Sequence, residues 1–354
     1  MREIWVAGYP SFVGGADTEL DHLIDLWRTH GVAVNLVPMF GCHAAMRAHC
    51  DERGCTTHEY RPDIFADKIV ISLCNGEFLT ELARIAEQGR PRLVLWANCM
   101  TYVFDAELEA HDRGLIDFHL FQSDYQRRRL CPELESIREV RALDGYRPFF
   151  NLANRAQDLS RHDRPPDDYF GVGRISRDDG SKFHPETWMM LAKVSAPRPV
   201  KAFMLGFGDN AAEQCGQQPP CGWLDWMTWT PDTIPARELY RRIHVLMHLT
   251  GGSRENWPRV VLEAWASGVV PVVDDDFGVA EMVTDGHDGF RVRSVDEAAF
   301  RASQLAFDEP LRLRMAENGY RTLLREHANP VRCFAPFQKL WNAVPLAQAL
   351  PCAS

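Results

Sequence analysis

The sequence predicts an α/β fold of two Rossmann-like domains, each built on a parallel sheet. Three observations carry this. A chain of 354 residues, 45% of them hydrophobic, suits two domains of ordinary size with a core each. Short apolar runs alternate with helical patterns in both halves, which is how a parallel sheet is written in sequence. Between the halves, residues 155–166 turn polar, rich in Arg and Asp and ending in Pro165-Pro166, with no apolar period, so the linker is placed there. The first domain is accordingly assigned to 1–160 and the second to 167–328.

The first domain opens with an apolar strand at 4–7. A loop with three glycines, 8–15, leads into a helix starting near Asp17, with Leu20, Leu23, Ile24 and Trp27 on one face. A second strand follows at 32–37. This opening is a nucleotide-fold unit, and Gly14-Gly15 just before the helix let a backbone approach a ligand closely. Further strands are expected at 69–73, 93–96 and 118–121, with a helix at 77–88 stopped by Gly89 and a basic helix at 125–130.

The second domain begins with a strand at 169–172, leading to Gly173-Arg174 at its end and Lys182 eight residues further on. A helix at 186–194, a strand at 201–205 and the turn Gly206-Phe207-Gly208 follow. Residues 221–229 hold Trp223, Trp226 and Trp229, which suit either a core or a base-stacking surface. A short helix at 236–242 precedes a strand at 245–249, where His248 reads as a satisfied histidine.

The stretch 251–289 organises the rest. Pro258 suits a first helical position, Val260, Val261, Ala264 and Trp265 make a core face, and Gly268 stops the helix. Residues 269–273 then read as a buried parallel strand. Glu255 thus lies in the loop before the helix and Glu263 about two turns inside it. Carboxylates so placed can accept hydrogen bonds from hydroxyls of a ligand lying across the helix start, where a phosphate is also favoured. Three helices, 295–307, 310–326 and 331–343, complete the chain.

The ordered set Glu255, Glu263-Ala264, Gly268, Pro271-Val272, Glu281 and 286–289 resembles the E-x7-E signature of retaining GT-B glycosyltransferases, the family 4-like or group 1 kind. Gly173-Arg174 with Lys182 is similar to that family's G-R…K element, and Gly206-Phe207-Gly208 to its G-x-G turn. The resemblance implies two nucleotide-type domains facing across a cleft, with a last helix, 331–345, crossing back to the first domain through Leu340 and Trp341. It implies transfer of a sugar, with retention, from a nucleoside diphosphate donor to an unknown acceptor hydroxyl, without a divalent metal or other cofactor. In that scheme Arg174 and Lys182 hold the diphosphate, with Arg177 a further cation. Fixed cations there neutralise the leaving group, Arg as a planar fork and Lys as a point charge. Glu255 binds sugar hydroxyls with help from the backbone of Asn256 and Trp257, and Glu263 binds the ribose. Glu281 braces the loop 277–280, including Gly278, near the phosphates, and Gly15 lies against the phosphate or the acceptor. One departure stands out. Where relatives carry a histidine after the fourth strand, this chain reads WANCMTYVF, with Asn98 the nearest polar residue and His111 further on.

A net charge of −10 argues against a broad nucleic-acid or anionic-membrane surface. The run 126–129, Gln-Arg-Arg-Arg, reads as a solvated helix face, though it keeps open a glucosyltransferase that modifies a nucleic-acid base. A GT-B relative serving only as a binding subunit is the other alternative, opposed by the intact Arg, Lys and Glu set. No run is long enough to span a bilayer and the N-terminus has no signal-peptide pattern, so a cytoplasmic enzyme is expected, its ten cysteines reduced. Cys42, His43, His49, Cys50, Cys55 and His58 crowd together but match no standard zinc spacing.

Overall fold

The computed structural model describes residues 2–11, 14–39, 41–42, 44–150, 167–230 and 233–343. The whole of the linker expected at 155–166, His43 and the end of the last predicted helix therefore lie outside the described residues.

Two six-stranded parallel sheets form the frame. In the first half the strands are β1 (Glu3–Ala7), β2 (Ala33–Val37), β3 (Thr56–Thr57), β4 (Ile69–Leu73), β5 (Leu93–Ala97) and β6 (Phe118–Leu120), in spatial order 3-2-1-4-5-6. In the second they are β7 (Phe170–Ile175), β8 (Val200–Leu205), β9 (Asp225–Trp229), β10 (Val245–His248), β11 (Val270–Asp274) and β12 (Phe290–Val292), in order 12-11-10-7-8-9. Both are doubly wound arrangements. Each reverses direction at one point, between β1 and β4 and between β7 and β10, and ligands of such sheets sit outside the strand C-termini there.

The β-branched and aliphatic runs explain the strands. β4 and β7 are buried along their whole length, as a parallel strand covered on both faces must be. Two glycines in β7 have a packing reason. A Cβ at Gly171 would lie 2.0 Å from the carbonyl oxygen of Arg242, and one at Gly173 would lie 2.6 Å from Cγ2 of Ile243. The chain entering β10 therefore passes directly over β7, and the switch point closes without a gap.

The helix Gly15–Thr29 buries Leu20, Leu23, Ile24 and Trp27 against the first sheet, starting two residues earlier than the sequence suggests. The helix Arg259–Ala266 has Pro258 as its N-cap residue and ends at Ser267, with Gly268 following at φ 72°. The final helix, Pro330–Ala343, inserts Cys333, Phe334, Phe337 and Leu340 into the core of the first domain, with Trp341 packed on it. Phe334 stacks on His30 at 4.0 Å, and Phe337 meets Trp27 edge-on at 5.5 Å.

Candidate functional site

β7 and β10 end side by side at the second switch point, and the site is built there. Arg174 closes β7 and is fully buried. Its Nη1 donates to the carbonyl of Ile175 at 2.7 Å and meets Nδ1 of His248, at the end of β10. Its Nη2 donates to the carbonyl of Lys182. Burial lowers the guanidinium pKa to about 10, against the opposing fields of Glu255 and Asp274. His248 is held neutral, its pKa well below 6.5, by burial and by the Arg174 and Lys182 charges, and its Nε2 has no hydrogen-bond partner among the described residues. Arg174 therefore lies beneath two loops instead of open to solvent, because a strand-end side chain is covered by the loops above it.

Those loops are residues 180–183 and 250–258. Gly251 and Ser253 both donate backbone N–H groups to the carbonyl of Ser181 at 3.0 Å. Asp274, at the end of β11, accepts from the N–H and hydroxyl of Thr250 at 2.9 and 3.1 Å. The loops bring Lys182 and Glu255 together, Nζ to Oε1 at 2.7 Å, with both side chains largely but not fully covered. Arg174, Lys182 and Glu255 thus form one connected group.

Glu263 points from the helix toward Tyr240, whose hydroxyl donates to Oε2 at 3.0 Å, while Arg259 pairs with Oε1 at 2.8 Å. Arg259 also donates to the hydroxyl of Thr18 at 2.7 Å, in the first turn of the helix that begins at Gly15. Gly15 has open space where a side chain would stand, and Gly14 before it adopts φ 105°. The glycine turn, Arg259 and Glu263 therefore face one another across the two domains. Arg177 is largely exposed with Asp179 at 3.4 Å.

The remaining predicted residues lie along the seam between the domains. The Glu281 carboxylate was expected to brace the loop 277–280. It instead accepts from the backbone N–H of Asp124 at 2.8 Å and from Arg128 at 2.6 Å, because the N-terminus of the first-domain helix Asp124–Glu135 attracts an anion. Gly278 has no room for a side chain, since a Cβ would stand 1.8 Å from the carbonyl oxygen of Asn256. The Asn256 side chain reaches the first domain. Trp257 faces His327, ring centroids 5.5 Å apart, and both line a cavity of about 450 Å³ along the seam. That cavity is lined by neither Lys182 nor Glu255.

In the first domain, Asn98 donates to the carboxylate of Glu107 at 2.6 Å and fixes the turn after β5. His111 is buried between His119 and the carbonyl of Arg138, and Asn98 alone of the two predicted candidates belongs to a turn that meets the second domain. Sequence reading also missed Arg259, although its spacing of four from Glu263 on one helix face was a usable signal. Glu19, which is fully buried, was missed as well.

Trp226 and Trp229 pack edge-on to Trp188 and flat on Phe203, while Trp223 is exposed. Arg127 pairs with Asp144 at 2.9 Å, so two of the three arginines in the basic helix are engaged within the chain. The Cys/His group near residues 42–58 is dispersed. His49 meets Asp21, His58 bonds Asn35 and stacks on Trp5, and Cys50 and Cys55 are buried. Among the described residues no three His, Cys, Asp or Glu side chains converge as a metal site would require, and no helix is long and apolar enough to cross a membrane.

Two doubly wound parallel-sheet domains joined at a seam make the fold of the GT-B glycosyltransferases. Residues 223–322 match the family described as Glycosyl transferases group 1. The chain is 27% identical over 194 residues to the lipopolysaccharide core biosynthesis glycosyltransferase LpsE of Rhizobium meliloti (strain 1021), a match spanning 53% of each protein, so about half the length of that relative. Among solved structures, Anabaena HepE in complex with UDP-glucose superimposes with TM-score 0.66 at 15% identity, covering 97% of this chain and 100% of that one. TarM does so with TM-score 0.69 at 8% identity, covering 97% and 99%. The lipopolysaccharide outer core galactosyltransferase WaaB gives 0.64 at 14% identity, over 97% and 99%. At these identities the likeness establishes the shared fold.

Proposed function

We propose that the chain is a cytoplasmic, metal-independent retaining glycosyltransferase that moves a sugar from a nucleoside diphosphate donor to a hydroxyl acceptor. The observation that carries this is the Lys182–Glu255 pair at 2.7 Å, seated over buried Arg174 at the switch point of the second sheet. An ammonium and a carboxylate poised together are what a diphosphate sugar needs. The diphosphate takes the ammonium, and the freed carboxylate accepts hydrogen bonds from sugar hydroxyls. Arg174 contributes from below, fixing the Lys182 main chain and adding positive potential without touching the donor. Glu263 receives the ribose hydroxyls once Arg259, half exposed and long, turns from it toward the phosphates. Gly15 lets the first-domain helix N-terminus approach the same phosphates.

When the bond between sugar and phosphate breaks, negative charge develops on the leaving oxygen, and preorganised cations stabilise it without reorganisation. The departing phosphate takes the acceptor proton on the same face, so no separate protein base is required. HepE in complex with UDP-glucose favours a uridine donor by analogy. The pairing of Arg127 and Arg128 within the chain weighs against a nucleic-acid substrate. A duplex-DNA binding titration across salt concentration reads that alternative directly.

The test is donor hydrolysis and transfer against uridine, guanosine and adenosine diphosphate sugars, with and without chelator. Expected is release of one nucleoside diphosphate, unaffected by chelator, with the anomeric configuration retained by NMR. Inversion would refute retention. No turnover and no calorimetric binding of any nucleotide would refute the enzyme.

A further inference from the structure

Asn256 follows Glu255 directly and is only 6% exposed. Its Nδ2 donates to two carbonyls of the opposite domain, Cys99 at 3.1 Å and Met100 at 3.0 Å, in the turn after β5. Its Oδ1 is buried with no partner. Among the described residues, its side-chain hydrogen bonds go to the first domain and none to its own.

The receiving turn is rigid. The Met100 N–H donates to Oδ1 of Asn98 at 2.8 Å, and Nδ2 of Asn98 donates to the carbonyl of Tyr102 at 2.9 Å and to Glu107 at 2.6 Å. Gln126 donates to the Met100 carbonyl at 2.8 Å from the other side. On the second-domain side, the Asn256 peptide rests against Gly278, whose N–H donates to the carbonyl of Glu255 at 2.9 Å. The Glu255 main chain is thus tied to its own domain through Gly278 and to the facing domain through the next side chain.

We infer that Asn256 is a positioning residue that makes the placement of Glu255 depend on closure of the two domains. When the turn after β5 withdraws, both amide hydrogen bonds are lost together and the Glu255 loop keeps only the contacts within its own domain, among them the Gly278 tether and the Lys182 pair. When the turn returns, Glu255 is set for the sugar at the moment water is excluded. This rests on the glycosyltransferase reading for its catalytic arm, and on the seam geometry alone for its structural arm.

The experiment compares the full chain with Asn256→Ala, Asn256→Asp and Asn256→Gln. Kinetics of transfer and of donor hydrolysis are measured, with calorimetric titration of UDP, GDP and ADP and solution X-ray scattering with and without each nucleotide. Loss of two amide–carbonyl bonds predicts that kcat for transfer falls roughly 10- to 100-fold in the Ala and Asp variants. Nucleotide affinity should stay within about threefold, since the affected bonds do not contact the donor. Hydrolysis should rise relative to transfer, Gln should restore part of kcat, and the Ala variant should stay more expanded than wild type with nucleotide bound. Wild-type kcat in Asn256→Ala, or equal losses of kcat and nucleotide affinity, would overturn the inference. Wild-type protein that turns over no donor would sink the function proposed above instead. Scattering still reads the coupling in that case, and identical profiles for wild type and Asn256→Ala would overturn it.

Discussion

Replacing Glu19 by glutamine should flatten part of the pH dependence of stability. Glu19 lies on the helix Gly15–Thr29 with no solvent exposure, and accepts hydrogen bonds from Tyr146 and Gln122. Burial raises its pKa from 4.5 to about 7, against the lowering effect of those two donors. A carboxyl raised in the folded state keeps its proton longer than in the unfolded chain. The unfolded state therefore binds fewer protons between these values, and stability falls as pH rises from about 4.5 to about 7. At roughly 1.4 kcal/mol per pH unit the loss reaches about 3 kcal/mol, complete above pH 7. Glutamine keeps the shape and still accepts from Tyr146, while Gln122 can turn its amide over. The assay is urea unfolding of wild type and Glu19→Gln from pH 4.5 to 8. The variant should gain on wild type by about 3 kcal/mol across that range. Curves that run parallel would show that Glu19 is ionised in the fold and would refute the argument.

Four further outcomes are expected. Glu255→Gln keeps the shape but removes the charge facing Lys182, so turnover should fall roughly 100-fold or more while nucleotide affinity holds, as steady-state kinetics and calorimetry would report. Glu263→Ala should weaken donor binding about tenfold or more, read by calorimetry, because it deletes the charged hydrogen bonds proposed for the ribose. Gly278→Ala should lower turnover strongly, since its Cβ would overlap the Asn256 carbonyl and push the Glu255 loop away; a wild-type rate would contradict the packing. His244, buried against Phe170, has its pKa lowered to about 3, so the unfolded state alone takes a proton below about 6.5 and stability is lost as pH falls. His244→Gln should therefore lose less stability than wild type on acidification, by about 2 kcal/mol at pH 5 in urea unfolding.

Elements that bury one continuous apolar run were readable from the sequence. β4 and β11 appear within a residue of their observed limits, β7 starts one residue later and runs three residues further than the sequence suggests, and the helix after Glu255 is read within two residues, with its proline start and glycine stop. β9 and β12 were not read as strands. β9 is a half-exposed edge whose tryptophans give no alternation, and β12 has only three residues. The polar helix Asp105–Asp112 was missed because its buried face is small. The motif spacing placed Lys182 and Glu255 together, since loops after adjacent parallel strands must meet. It did not reveal the depth of Arg174, because residue type carries no information about which loop lies on top. Nor did it show Asn256 reaching Cys99, a partner 157 positions away. Contacts across a seam depend on how two finished domains dock, and no local pattern records that.

The helix Pro330–Ala343 leaves one domain and plugs into the other, so the polypeptide passes between the halves twice. Severing the chain anywhere in 151–166 would leave two fragments still clasped, because Phe334 and Phe337 would remain seated among Trp27, His30 and Tyr146. The first half does not correspond to one uninterrupted stretch of gene, so a fragment ending at the linker would display a bare apolar trough. The C-terminal helix, seated in the first-domain core, also restricts how far the halves can swing apart.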